Sequence, residues 1–225
     1  MKHEFWHNAW KKSEQPGWQQ KSVNPHLLKH WSASGAAESE VVFVPLCGRS
    51  LDMQWLHESG HHVIGIDLSV TALEQFCEQQ SIDATCERDG PLTVFRAPGW
   101  TLYAGDFFKL EPDQLNRVSR VYDRAALIAL PESMRADYAR HLRNLLPSGT
   151  EIFAITITYD ETQMDGPPFS VSEAEFQELF SSGYEIRVLQ SESGPEQLGN
   201  LAARGLTTLR ETSYLLSPKA LPESQ

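Results

Sequence analysis

The segment 41–67 constrains the fold of this chain more than any other part of the sequence. An apolar run leads into the loop 45–49, and a second apolar run ends at Asp67. A strand, a tight loop, a helix and a second strand that ends in a carboxylate form a mononucleotide-binding unit. Because ligands of such sheets lie outside the carboxyl ends of the strands, we expect Leu46, Gly48 and Asp67 to line one crevice.

The spacing within this unit predicts what the carboxylate binds. Asp67 follows Gly48 by roughly twenty positions, the interval at which an acidic side chain reaches a ribose diol. A carboxylate offers only acceptors, and two vicinal hydroxyls offer two donors at matching separation. The sequence therefore predicts a nucleoside ligand.

The loop also indicates which nucleoside is bound. A dinucleotide-binding loop needs three glycines so that its backbone can come close to the pyrophosphate. This loop has only Gly48, and Pro45 lacks the amide N–H that could donate to a phosphate. This favours a ligand without phosphate. S-adenosylmethionine fits, because it has an adenine, a ribose diol, an amino-acid tail and a cationic sulfonium, and the chain has a formal net charge of -11. Arg49 keeps a nicotinamide dinucleotide as an alternative, since its guanidinium could face a phosphate.

Length and composition predict one domain in a reducing compartment. The 225 residues, 40% of them hydrophobic, suffice for one core, which we place at 1–217 with a disordered tail at 218–225. Within the domain, 1–35 forms a helical lid and 36–217 the α/β core. Three cysteines without paired spacing suit the cytoplasm, and no stretch has the length of a membrane span. The acidic balance disfavours nucleic acid as a partner.

Alternating helical and extended patterns after residue 40 predict a mostly parallel sheet with helices on both faces. The predicted strands are 41–45, 62–66, 101–104, 120–122, 151–158, 184–189 and 206–216. The predicted helices are 50–59, 69–80, 132–146 and one of about ten residues after Ser172. Residues 82–100 read as irregular, with a short extended piece at 92–96. The last two strands lack a helical connection of crossover length, which predicts an antiparallel hairpin at the sheet edge.

The sequence between His57 and His61 formally matches the zinc pattern H-E-x-x-H. That pattern binds metal only when both histidines lie one turn apart on a single helix. Gly60 predicts that the helix has already ended, so we assign no metal site here.

Two further segments carry candidate chemistry. Asp123 and Arg124 end the predicted fourth strand, which places a permanently charged guanidinium at the mouth of the crevice. Arg124 can hold an anionic or polarised acceptor, and Asp123 can accept a proton from a neutral one. The alternative is an ordinary surface pair. The aromatic residues Trp6 and Trp10 share a helix face and either dock on the core or cover a sulfonium, since tryptophan rings attract cations.

The motifs resemble those of one family, the thiopurine S-methyltransferases, along nearly the whole chain. In chain order they are Phe5-Trp6-His7 with Trp10, then 44–53, 63–69, Gly105-Asp106-Phe107-Phe108, 122–127 and Gly166-Pro167-Pro168-Phe169. The resemblance implies a single-domain class I methyltransferase fold, Rossmann-like, with a seven-stranded, mostly parallel sheet, and S-adenosylmethionine as the methyl donor. Members methylate aromatic and heterocyclic thiols such as 6-mercaptopurine, and bacterial members have been linked to selenium and tellurium oxyanions.

The resemblance also implies roles for individual residues. Cofactor contacts implied by it fall on Trp10, Leu46, Asp67, Asp106, Phe107 and Arg124, and the loop and the N-terminal aromatic residues discussed above add Gly48 and Trp6. Asp106 and Phe107 lie near the adenine, and many members carry Glu where this chain has Asp67. For the acceptor we expect Trp18 and Phe169 as apolar walls beside Arg124. We expect a monomer; the alternatives are a nicotinamide-dependent oxidoreductase and a nucleoside-binding module without turnover.

Overall fold

The structure is a computed structural model, and it describes residues 20–37 and 39–220. The helices are α1 (Pro25–His30), α2 (Leu51–Glu58), α3 (Val70–Gln79), α4 (Glu132–Leu145), α5 (Glu173–Phe180) and α6 (Pro195–Leu198). The strands are β1 (Val41–Val44), β2 (His62–Asp67), β3 (Thr85–Asp89), β4 (Leu92–Ala97), β5 (Trp100–Ala104), β6 (Arg120–Arg124), β7 (Glu151–Thr158), β8 (Tyr184–Ser193) and β9 (Arg210–Pro218). Short 3-10 helices lie at Ser32–Ser34, Phe107–Lys109, Pro112–Leu115, Leu127–Ala129 and Gly199–Arg204.

All these strands form one sheet in the order β3-β4-β5-β2-β1-β6-β7-β9-β8. The central strands β5, β2, β1, β6 and β7 pair in parallel, and the outer pairs are antiparallel. The strand order reverses at β1, because the chain proceeds from β1 to β2 on one side and later to β6 on the other. This switch point lies at the loop after β1, where the sequence predicted the ligand.

The predicted α/β class is confirmed, but the predicted number of strands is wrong. Residues 82–100 contain the antiparallel hairpin of β3 and β4, so the sheet has nine strands rather than seven. The segment 85–88 is exposed on both faces of the sheet, and only Asp89 of β3 is half-buried. Because neither face of β3 is buried, its sequence shows no apolar alternation from which a strand could be predicted.

The predicted C-terminal hairpin is present, with β9 inserted between β7 and β8. Its second strand begins at Arg210 rather than at 206, and its first runs to Ser193. Between them, α6 and the 3-10 helix Gly199–Arg204 replace the simple loop of the prediction. Pro218, where the disordered tail was predicted to begin, still belongs to β9, and residues 221–225 lie outside the described part.

Alternate side chains of β1 enter two separate hydrophobic cores, one on each face of the sheet. Val41 and Phe43 belong to one cluster, whereas Val42 and Val44 belong to the other. The first cluster also contains Tyr138 and Leu142 of α4 with Phe176 and Phe180 of α5. The second contains Leu27 of α1, Met53 and Leu56 of α2, and Leu73 and Phe76 of α3. Each such large apolar side chain contributes about 1.5–3 kcal/mol of burial free energy.

Serine side chains cap the N-termini of two helices. The Ser69 hydroxyl accepts a hydrogen bond from the N–H of Ala72 at 3.2 Å and begins α3. Ser172 accepts one from the N–H of Glu175 at 3.1 Å and begins α5. No helix in residues 20–37 or 39–220 is long and apolar enough to cross a membrane.

Candidate cofactor and acceptor site

The carboxylate of Asp67 lies at the end of β2 and is buried. One oxygen accepts a hydrogen bond from the Gly48 N–H at 2.9 Å, and the other accepts one from the Ser69 N–H, also at 2.9 Å. Burial raises the pKa of Asp67 to about 6, and the two hydrogen bonds act in the opposite direction. Each oxygen keeps a second lone pair, so the ionised carboxylate can still accept both hydroxyls of a ribose.

A concave pocket joins Asp67 to three of the other predicted cofactor contacts, Leu46, Asp106 and Phe107. It is lined by Leu46, Ile66, Asp67, Leu68, Gly105, Asp106, Phe107, Phe108, Leu130 and Tyr138. Apart from the two carboxylates, these side chains are mostly apolar, and a purine with its ribose needs this combination. This lining therefore has the chemical character expected of a site for the adenosine part of S-adenosylmethionine. Gly48 contributes through its hydrogen bond to Asp67.

The aromatic wall of this pocket is supported from α4. The Phe107 ring lies 5.0 Å from the Tyr138 ring and 5.1 Å from the His141 ring, centroid to centroid. The His141 Nε2 is 3.2 Å from the Phe107 carbonyl oxygen, and the Asp106 side chain accepts from the Phe108 N–H at 3.0 Å. These contacts fix the backbone that would face the adenine.

Two residues without the freedom of glycine adopt left-handed backbone angles at the crevice. Leu46 has a φ of 46° and Ala125 a φ of 70°. Such angles cost about 1–3 kcal/mol in a residue with a Cβ, and they concentrate at functional sites. Leu46 follows β1 and Ala125 follows Arg124 of β6, and these strands are neighbours in the sheet. The strain therefore lies on both sides of the strand-order reversal.

Arg124 ends β6, and its side chain is 14% exposed. Its Nη1 lies 3.6 Å from an oxygen of Asp52, which is buried at the start of α2. The same oxygen accepts a hydrogen bond from the Tyr122 hydroxyl at 2.8 Å, and the other accepts one from the Asn24 N–H at 2.8 Å. Asp52 thus forms an ion pair with the guanidinium and connects it to the beginning of α1.

Asp123 faces α4. Its oxygens accept hydrogen bonds from the Tyr138 hydroxyl at 2.7 Å and from the Leu127 N–H at 3.3 Å. Burial raises the pKa of Asp123 to about 6, and these hydrogen bonds act against the increase. The carboxylate stabilises the turn after β6, and its role as a proton acceptor stays a prediction.

The loop Gly166-Pro167-Pro168-Phe169 lies after β7, beside the turn that follows Arg124. The Phe169 N–H donates to the Ile128 carbonyl at 2.6 Å. The Tyr159 hydroxyl donates to the Pro168 carbonyl at 2.7 Å. These bonds place Phe169 at the carboxyl ends of β6 and β7. Trp6, Trp10 and Trp18 lie outside the described residues.

The other sequence motifs have structural roles. His57 lies in α2, which ends at Glu58, whereas His61 lies beyond it and its Nε2 accepts from the Trp31 indole N–H at 3.0 Å. The two histidines therefore do not share a helix, and residues 20–37 and 39–220 contain no His/Cys/Asp/Glu group suited to a metal. Arg49 is buried and donates to the Gln75 side chain at 3.0 Å, which disfavours the phosphate contact of the dinucleotide alternative.

Sequence reasoning did not identify Asp52, Tyr122 or Tyr138 as parts of the site. Asp52 stands in the first turn of a helix, where an acidic residue commonly stabilises the helix N-terminus. Tyr122 and Tyr138 have the apolar spacing of core positions. Their polar contacts join residues 70 and 15 positions apart, and no local pattern records such pairs.

The fold and this site together define a methyltransferase that uses S-adenosylmethionine. Solved structures share the fold: 1,6-didemethyltoxoflavin-N1-methyltransferase of Burkholderia thailandensis, with S-adenosylhomocysteine bound, has a TM-score of 0.65 at 14% identity, covering 97% of this chain and 87% of that chain. An S-adenosylmethionine-dependent methyltransferase of Anabaena variabilis also has a TM-score of 0.65, at 15% identity, covering 96% of this chain and 95% of the other.

The sequence matches the thiopurine S-methyltransferase family over residues 1–219, and the chain belongs to that family. The thiopurine S-methyltransferase of Marinobacter nauticus is 44% identical over 186 residues, covering 83% of this chain and 84% of the relative. That of Pseudomonas fluorescens strain Pf0-1 is 40% identical over 214 residues, covering 95% and 98%. The resemblance inferred from the motifs is confirmed.

Proposed function

We propose that this enzyme transfers the methyl group of S-adenosylmethionine to the sulfur of acidic aromatic or heterocyclic thiols, including thiopurines such as 6-mercaptopurine. One observation carries this proposal: the Arg124 guanidinium lies at the end of β6, next to β1, and the turn that follows it is hydrogen-bonded to the loop that bears Phe169. A fixed cation beside an apolar wall suits a flat molecule with an anionic sulfur.

The bound cofactor supplies a methyl group already activated by the sulfonium. The protein therefore has to orient the acceptor and exclude water. Asp67 holds the ribose through its two carboxylate oxygens, and Leu46 and Phe107 cover the adenosine. Arg124 stays protonated and stabilises the thiolate over the thiol, which favours acceptors that ionise near neutral pH. Little acid–base chemistry is required of the chain.

The remaining roles are part of the same proposal. Trp6 and Trp10 cover the cofactor, and Trp18 forms the acceptor wall together with Phe169. Asp123 accepts the proton of a neutral acceptor, for which its Tyr138 hydrogen bond must rearrange. The enzyme acts as a monomer in the cytoplasm on small molecules, and its net charge of -11 disfavours nucleic acid. Selenium and tellurium oxyanions are further candidate acceptors, because they too are anions that Arg124 can hold.

Calorimetric titration with S-adenosylhomocysteine tests the cofactor site, with NAD as the control ligand. We expect micromolar binding of S-adenosylhomocysteine to the wild type and its loss in Asp67→Ala. Binding of NAD alone would contradict the proposal. A turnover assay with 6-mercaptopurine, selenite and tellurite then tests the acceptor, and binding without any turnover would leave a nucleoside-binding module.

A further inference from the structure

The Phe169 ring is packed on two sides. The central guanidinium carbon of Arg135 lies over the ring, 5.9 Å from its centroid. A Cβ built on Gly166 would lie 2.2 Å from Cδ1 and 2.5 Å from Cγ of the same ring. No Cβ is tolerated at such distances, so the ring occupies the space that glycine leaves free.

Arg135 is itself held rigidly. Its Nη1 donates to both carboxylate oxygens of Glu175, at 2.8 and 2.7 Å. Its Nε donates to the Leu130 carbonyl at 3.0 Å, and the side chain is only 3% exposed. An arginine with this many fixed donors has one orientation, and the adjacent Glu175 offsets its charge. The cation over Phe169 is therefore a permanent part of the fold.

The backbone below the ring is also fixed, by the Phe169 bond to Ile128 and the Tyr159 bond to Pro168. Ile128 lies in the turn after Arg124, so the ring and the guanidinium that faces the acceptor are joined through a short piece of chain. A side chain held in this way loses little entropy when a ligand packs against it.

We propose that Arg135 and Glu175 are positioning residues that preset Phe169 as a wall selective for flat aromatic acceptors. The inference rests on the proposed function, which places the acceptor beside Phe169. A ring that cannot turn away offers a surface of one shape, so a planar thiol packs well against it and a puckered ring of equal size packs poorly. Neither Arg135 nor Glu175 contacts the acceptor in this arrangement.

Kinetics on two thiols of matched ring size test the proposal. In Arg135→Lys and in Glu175→Gln, we expect the KM for thiophenol to rise about fivefold. The inhibition constant of cyclohexanethiol against thiophenol and the Kd of S-adenosylhomocysteine should stay within about twofold. Arg143→Lys is the matched control: Arg143 also joins α4 to the end of α5, donating to the Leu179 carbonyl at 3.1 Å and the Ser182 hydroxyl at 2.7 Å. The Arg143→Lys variant should leave all three constants unchanged.

A double-mutant cycle tests whether the effect passes through the ring. In a Phe169→Leu background, Arg135→Lys should change the KM for thiophenol by less than about twofold. A full fivefold effect in that background would overturn the proposal, as would a folded Arg135→Lys variant with the wild-type KM.

A measurement without turnover separates this inference from the proposed function. With 4-fluorophenylalanine incorporated and the Phe169 signal assigned through Phe169→Leu, the ¹⁹F resonance should shift in Arg135→Lys and Glu175→Gln but not in Arg143→Lys. An unchanged resonance in the first two variants would overturn the positioning role. If the wild type methylated no thiol at all, the proposed function would fail, and the resonance would still decide whether Arg135 positions the ring.

Discussion

The backbone N–H of Gly48 donates to the carboxylate of Asp67 across 2.9 Å, so the loop after β1 and the end of β2 meet at the group proposed to hold the ribose. The carboxylate thereby does two things: it fixes the glycine loop, and it keeps lone pairs for the ligand. Because the Asp67 carboxylate is buried, its charge state determines how well it fixes the glycine loop and how well it accepts from the ligand.

Cofactor affinity should depend on pH through Asp67. Burial raises the pKa of Asp67 to about 6, so the ligand-free carboxylate is ionised above that pH and becomes protonated below it. Protonation removes acceptor capacity from the ribose site, and binding therefore weakens as the pH falls through 6, by at most about tenfold per pH unit for one proton. Calorimetric titration with S-adenosylhomocysteine between pH 5 and 8 measures this dependence.

Proton release on binding and the Asp67→Asn variant are the controls for this titration. The bound ribose favours the ionised carboxylate, so binding near pH 6 should release a proton, detectable in buffers of different ionisation enthalpy. Asp67→Asn should bind weakly and with little change over this pH range. A wild-type affinity that is constant from pH 5 to 8 would show that ionisation of Asp67 is not required.

The sequence predicted the parallel core well because β1 and β2 are buried on both faces and read as continuous apolar runs. The prediction failed at β3, because its exposed and mostly charged residues form an edge strand through backbone pairing alone. It placed the end of α2 correctly, because Gly60 has a φ of 93° and cannot continue the helix.

The sequence predicted those residues of the candidate site that lie at the ends of parallel strands. Leu46, Asp67 and Arg124 end strands of one parallel sheet, so topology brings them to one edge. The support of these residues was not predictable. Asp52 accepts from Tyr122, 70 positions away, and Glu175 accepts from Arg135, 40 positions away, and only the packed structure shows which donor each carboxylate binds.

Removal of the Arg124 side chain should impair turnover of acidic thiols. Arg124→Ala takes away the cation that stabilises the thiolate, and we expect kcat/KM for 6-mercaptopurine to fall about 100-fold. Arg124→Lys keeps the charge without the planar fork, so its loss should be smaller. Initial rates at several concentrations of thiol give kcat and KM separately. Wild-type values of both in a folded Arg124→Ala variant would exclude Arg124 from the mechanism.

Asp52 should be important for stability. Asp52→Ala leaves the Tyr122 hydroxyl, the Asn24 N–H and the Arg124 guanidinium without their common acceptor in a buried place. We expect the free energy of unfolding to fall by about 3 kcal/mol. Tyr122→Phe removes one donor and leaves the ion pair, so its cost should be about 1 kcal/mol. Urea denaturation monitored by circular dichroism compares the two, and equal losses would contradict a shared acceptor.

The left-handed residue after Arg124 predicts a conflict between stability and activity. Ala125 has a φ of 70°, which is strained for alanine and costs glycine nothing. Ala125→Gly should therefore raise the free energy of unfolding by about 0.5–1 kcal/mol, after allowance for the greater freedom of glycine in the unfolded chain.

The same substitution should lower turnover, because a glycine after Arg124 lets the backbone that aims the guanidinium adopt other angles. Urea denaturation and thiol kinetics on one preparation measure both effects. The control is Ala129→Gly, in the 3-10 helix Leu127–Ala129 of the same turn. Ala129 does not have a positive φ, so this substitution should destabilise the fold. A loss of stability in Ala125→Gly as large as that in Ala129→Gly would mean that the angle at residue 125 carries no strain.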